Sequence, residues 1–118
     1  MTADQLYEKG FEARCNGDYP TASEWLNRAL QIDPDHSNAM WQLAIIKGFE
    51  GDFDGSIAAL KDVVAKSPTH EKAWYDLGMS CTMLMEIPDA VNAFQRVLQL
   101  NPGNEDAMRQ LDMLKDYM

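Results

Sequence analysis

Pro34, Pro68 and Pro102 each stand in a short polar break, and each lies 34 residues from the next. The breaks read Asp33-Pro34-Asp35-His36, Ser67-Pro68-Thr69-His70 and Asn101-Pro102-Gly103-Asn104. The same offset aligns Asn16-Gly17-Asp18-Tyr19 with Glu50-Gly51-Asp52-Phe53 and Met85-Glu86-Ile87, so every period is broken once at its middle and once at its end. A strict period of this length marks a repeat architecture, in which each unit is a supersecondary element unable to bury its apolar face alone.

Between breaks the apolar residues recur at helical spacing, as in Ala22, Leu26, Ala29, Leu30 and in Ala90, Phe94, Val97, Leu98, with no alternation of period two. Gly17 and Gly51 fall where a helix closes in a left-handed residue. Pro20 and Pro88 fall in the first turn of the next helix, where a missing N–H costs nothing. Each unit is thus a helical hairpin. Residues 3–36, 37–70 and 71–104 form the repeats, with helices predicted near 4–16, 20–32, 37–50, 54–66, 71–84 and 88–100. A closing helix near 105–117, within the capping segment 105–118, is capped by Asn104 and carries Glu105 and Asp106 in its first turn. It should cover the last hairpin with Met108, Leu111 and Leu114 and turn Asp112, Lys115 and Asp116 to water.

Charge and composition exclude several roles. With 19 acidic against 10 basic side chains the net charge is −9, which repels a phosphate backbone, so nucleic acid is not an expected partner. No apolar run reaches the roughly 18 residues of a membrane span, so no membrane insertion is expected. The opening Met1-Thr2-Ala3-Asp4 stretch lacks the cationic start and apolar run of a signal peptide, and a cytoplasmic location is expected. Cys15 and Cys81 fit no metal or redox spacing and are expected as small buried residues.

The third repeat reads Trp74-x2-Leu77-Gly78-x2-Cys81, then Ala90-x3-Phe94, then Pro102; the second has Met40, Leu43, Ala44, Ser56, Leu60 and Pro68; the first has Leu6, Gly10, Ala22, Leu26 and Pro34. This resembles the tetratricopeptide signature W-x2-L-G-x2-Y, A-x3-F, P over nearly the whole chain. The resemblance implies an all-α fold, a right-handed α-α superhelix of three hairpins plus a closing helix. Departures from the pattern are informative. Lys9 and Lys47 stand where leucine and tyrosine belong and should run their stems along the core to reach water. Met85 holds the turn position of Gly17 and Gly51, where a Cβ costs about 1 kcal/mol, so the third turn is expected to differ in shape.

In members of that family the first helix of each hairpin lines a concave groove that holds another polypeptide. The residues this places on the groove side are Tyr7, Phe11 and Cys15, then Trp41, Ile45 and Phe49, then Tyr75, Met79 and Met83, each set spaced four apart. Arg14, Lys72 and Arg109 stand near its edges and Met113 on the closing helix. The family's clamp for C-terminal carboxylates would fall on Tyr7, Phe11, Gln42, Lys72 and Asp76, where only Lys72 has the right chemistry. An aromatic, Met-rich groove suits an apolar or amphipathic peptide or helix. Size and charge are similar to those of small acidic three-repeat chaperones of bacterial secretion. The expected function is an adaptor or chaperone-like interaction module. The rival is a self-assembling scaffold, a homodimer whose groove is closed by a second copy or by a swapped closing helix carrying Met113 and Tyr117.

Other motifs carry less. Glu50 to Ile57 imitates a calcium loop, but the bidentate glutamate it needs is Lys61. His36 and His70 sit in equivalent linkers about 16–20 Å apart on helix-spacing grounds, too far to share a metal, and are expected as exposed polar residues. No phosphate loop, His/Cys cluster or serine beside a base is present, so neither an enzyme nor a cofactor is expected.

Overall fold

A computed structural model describes all 118 residues. It is all-α, in the order α1 (Ala3–Cys15), α2 (Tyr19–Ile32), α3 (Ser37–Phe49), α4 (Phe53–Lys66), α5 (Glu71–Met83), α6 (Ile87–Leu100) and α7 (Glu105–Leu114), ending in a 3₁₀ turn, Lys115–Tyr117. The chain divides into two compact units, Met1–Ala59 and Leu60–Met118.

In the first unit α1 and α2 pair as an antiparallel hairpin around Leu6, Ala22, Leu26 and Ala29, joined by Ala39 and Ile46 of α3. Gly10 permits this approach, because a Cβ there would lie 2.6 Å from Leu26 Cγ. Ser56 replaces the small apolar residue of Ala22 and Ala90, and its buried hydroxyl is satisfied by donating to the Ala44 carbonyl at 2.8 Å. Lys9 is exposed, with its Nζ 5.4 Å from the centre of the Trp25 ring. In the second unit Gly78 plays the part of Gly10, lying under the Phe94 ring at a distance that would put a Cβ 2.7 Å from it. Phe94 is fully buried, worth about 3 kcal/mol against exposure.

Side chains cap most helix starts. Thr2 and Gln5 form a reciprocal capping box on α1. Asp18 Oδ1 accepts from the Thr21 N–H at 3.3 Å, and Asp52 Oδ1 from the Gly55 N–H at 2.9 Å. The Asp52 carboxylate of the calcium-like stretch is therefore engaged at a helix start. His36 and His70 are not exposed linker residues. Each is half-buried and caps the helix it precedes, its Nδ1 accepting from the N–H of Ala39 or Ala73 at 3.1 Å. Asn104 Oδ1 does the same for α7 through Ala107 at 3.0 Å. Asn101 and Asn104 also donate to Glu71 Oε2, at 3.2 and 2.8 Å, tying the α6–α7 connection to the start of α5.

The mid-hairpin turns are alike, contrary to the expectation for Met85. Met85 takes φ 59°, beside 81° for Gly17 and 88° for Gly51. The same pair of backbone bonds closes each turn: Gly17 N–H to Arg14 O with Asp18 N–H to Ala13 O, Gly51 to Gly48 with Asp52 to Lys47, and Met85 to Thr82 with Glu86 to Cys81. Two satisfied carbonyls outweigh the left-handed cost of one side chain.

α7 packs on α6 through Leu111 and Leu114 as expected, but Met108 is not part of the seam. Ala107 and Leu114 are buried and Leu111 half-buried, whereas Met108 is exposed. A 107, 111, 114 seam follows helical geometry, and position 108 lies a further 100° round. The helix also ends earlier than expected, its last residues tightening into the 3₁₀ turn.

Candidate functional site

In the first unit the residues of α1 and α3 expected on the groove side form a ladder of rings interrupted by one cation. Tyr7 and Phe11 lie 6.2 Å apart between ring centres. The Arg14 guanidinium lies 5.4 Å from the Phe11 ring and 5.9 Å from the Phe49 ring. Phe49 in turn stacks on Tyr19 at 5.7 Å, with 19° between ring planes. At the other end Tyr7 faces His36 at 5.2 Å, and His36 Nε2 lies 2.8 Å from Asp4 Oδ1. Trp41 and Ile45 are half-buried on α3.

Exposure rises along each helix: Tyr7 is half-buried and Phe11 37% exposed, while Phe49 at the end of α3 reaches 58%. Cys15, expected to be buried, is exposed in the last turn of α1, with Arg14 Nη2 3.9 Å from its sulfur. Burial raises the affinity of the Tyr7 hydroxyl for its proton. The Gln42 side chain opposes this, Glu8 adds to it and Arg14 offsets it. The Gln42 carboxamide is 0% exposed and interacts with that hydroxyl, but outside good hydrogen-bond geometry. Arg14 Nε is likewise buried without a partner.

In the second unit Tyr75 is half-buried and meets Phe94 edge-on at 5.6 Å. Met79 is half-buried, and Met83 is 62% exposed in the last turn of α5. Lys72 is exposed in the first turn. On α7, Arg109 pairs with Asp106 at 3.1 Å, a solvated pair of small worth, and Met113 is 58% exposed.

A cleft of about 330 Å³ opens elsewhere in this unit, lined by Val64, Ala65, Trp74, Leu77 and Cys81. It lies where Cys81 stands at a position that the repeat signature gives to tyrosine. Burial, then Glu86 and Asp89, push the Cys81 thiol up to about 11 against the pull of Lys61. At neutral pH it is a protonated thiol, not a nucleophile. No helix is long and apolar enough to cross a membrane.

The residues that sequence reasoning passed over are Gln42 as a buried orphan, Tyr19 as the outer ring of the ladder, and the two histidines as caps. For the histidines a signal was present: they are equivalent to Asn104, which reads as a cap.

Comparison with known proteins supplies the family. The model described as "Tetratricopeptide repeat" matches residues 71–104. "Tetratricopeptide repeat domain-containing protein PYG7, chloroplastic" of Arabidopsis thaliana is 32% identical over 119 residues, covering 98% of this chain and 40% of the plant protein. This chain therefore spans less than half the length of that relative. Among solved structures, "First TPR of Spaghetti (RPAP3) bound to HSP90 peptide SRMEEVD" superposes with a TM-score of 0.92 at 23% identity, over 98% of this chain and 94% of the other. The MamA protein superposes at 0.85 with 28% identity, over 98% and 63%.

Proposed function

We propose, from the premise that this chain belongs to the tetratricopeptide-repeat family, that it is a protein-interaction module holding an apolar or amphipathic segment of another polypeptide against its first helices. One observation carries the reading: α1, α3 and α5 each leave a large apolar side chain exposed toward their C-terminal ends, Phe11, Phe49 and Met83. Single exposed apolar residues are ordinary, but recurrence on the same helix of successive repeats is the pattern of a surface kept for contact. Rings supply rigid area, and methionines adapt to varied shapes.

The fold neighbour seen with an HSP90 peptide is a different case. Here Tyr7, Phe11, Gln42, Lys72 and Asp76 hold the clamp positions, and Asp76 repels a carboxylate. The segment is held by apolar contact.

The test is affinity for a partner recovered with the full chain and identified by mass spectrometry. Trp41, midway along the repeats, is the anchor, and truncating a central aromatic commonly costs about 2 kcal/mol or more. Trp41→Ala should weaken binding at least about tenfold with the helical circular dichroism intact, while Lys61→Ala on α4 changes little. Binding should survive about 0.5 M salt, where charge-led capture fails. Unchanged affinity in Trp41→Ala, or release by salt alone, sinks the reading.

Self-assembly is the second reading, supported by Met113 and Tyr117, 58% and 62% exposed at the chain's last helical turns. Light scattering over a concentration series decides it: concentration-dependent dimers support it, and a persistent monomer excludes it.

A further inference from the structure

The ring ladder of the first unit contains a cation that no carboxylate of the chain neutralises. Arg14 forms no ion pair, and its Nε is buried without a hydrogen-bond partner. This is unusual in a chain of net charge −9, where carboxylates are plentiful. Its guanidinium is held between Phe11 and Phe49, at 5.4 and 5.9 Å, so its position is set in advance by two ring faces. Apart from a weak bond from Nη2 to the Cys15 sulfur at 3.9 Å its donors are uncommitted, and a guanidinium so placed in partly apolar surroundings is a ready partner for a carboxylate, since a charge-assisted bond there is stronger than in water. A second polar group stands on the same ladder: the fully buried Gln42 carboxamide, beside the Tyr7 hydroxyl.

Order along the ladder specifies the ligand further. Tyr7 and Phe11 flank Arg14 on one side, Phe49 and Tyr19 on the other. A segment crossing the cation therefore meets rings before and after it. That geometry fits an acidic side chain inside an apolar stretch; a chain end would leave half the rings uncovered. A run of acidic residues is disfavoured by the chain's own field, whereas one carboxylate within a Debye length of Arg14, about 8 Å at physiological salt, is governed by the local pair.

We infer that Arg14, held between Phe11 and Phe49, is a specificity determinant that selects partner segments carrying one aspartate or glutamate side chain between apolar residues. This rests on the interaction reading above and adds to it the chemistry of the bound segment.

The experiment selects a library of random 12-residue segments, displayed within a loop so that they have no free ends, against the full chain and against Arg14→Gln. The parent should enrich segments with one acidic residue flanked on both sides by aromatic or aliphatic residues. Arg14→Gln should enrich the apolar pattern without the acid, and Arg14→Lys should recover it in part. A selected segment made as a blocked peptide should bind the parent about tenfold or more better than its Glu→Gln counterpart, and Arg14→Gln should bind both alike. Absence of acidic enrichment, or equal enrichment in parent and Arg14→Gln, overturns the inference while leaving apolar capture standing. Absence of any apolar pattern overturns both. A Gln counterpart with a free C-terminal carboxylate that binds as well as the glutamate peptide overturns the assignment to an internal side chain.

Discussion

Replacing His70 with asparagine tests whether a titrating side chain holds the start of α5. The imidazole accepts the Ala73 N–H through Nδ1 at 3.1 Å, and only the neutral ring has that lone pair. Protonation turns the acceptor into a donor facing a donor, and sets a positive charge at the positive end of the helix dipole. A lost cap costs about 1 kcal/mol. Burial holds the folded-state proton affinity of His70 below the usual histidine value; an interaction with its own backbone opposes this and Lys72 reinforces it. The unfolded chain thus binds the proton first as pH falls. The stability from the neutral cap is complete above about pH 6.5 and is lost as pH falls from there through the lower folded-state value. Asparagine retains an acceptor, as Asn104 does for Ala107 at 3.0 Å, but does not titrate in this range. Urea melts of parent and His70→Asn at pH 7.5 and pH 5 should give similar midpoints at the higher pH. At the lower pH the variant should be ahead by about 1 kcal/mol, or about 0.5 M urea. The carboxylates titrate in both proteins, so the difference isolates the histidine. Parallel loss of stability in the two would refute the cap.

Met85→Gly should stabilise the chain by about 0.5–1 kcal/mol by relieving φ 59°, read as a higher urea midpoint; no gain would show that the side chain repays its strain. Gly78→Ala should destabilise by about 1–3 kcal/mol, because its Cβ would meet the Phe94 ring at 2.7 Å, and a neutral result would mean that α5 and α6 part easily. With maleimide at pH 7.5, mass spectrometry should find Cys15 labelled within minutes and Cys81 only on unfolding. Fast labelling of Cys81 would contradict its burial and its thiol raised to about 11. A bound segment covering the Phe11 end of α1 should also slow labelling of Cys15.

Much of the fold was legible because its signals are local. Proline and glycine act on their own backbone, and the helical period of apolar residues acts over a few turns, so six of the seven helices begin and end within a residue of where the pattern puts them. The seventh shows where the period stops sufficing. Met108 and Ala107 are neighbours, both compatible with a seam, and packing on α6 chose the alanine.

The candidate site was legible as residue types at groove positions and not as an arrangement. Phe49 lies 35 residues from Arg14 in the chain, and nothing in either neighbourhood announces that one ring would clasp the other's cation. Met85 kept the glycine geometry, and the same two local backbone bonds close its turn as close those at Gly17 and Gly51. What the sequence by itself determined, then, is the periodic part: where the chain breaks, which residues are helical, and which face of each first helix is apolar. The tertiary structure alone decided which rings of α1 and α3 meet the Arg14 guanidinium and which polar atoms, such as Arg14 Nε, are buried without a hydrogen bond. The reason is physical: helices and their caps are governed by neighbours along the chain, whereas a contact between α1 and α3, such as Arg14 with Phe49, requires partners that only packing brings within a few ångströms.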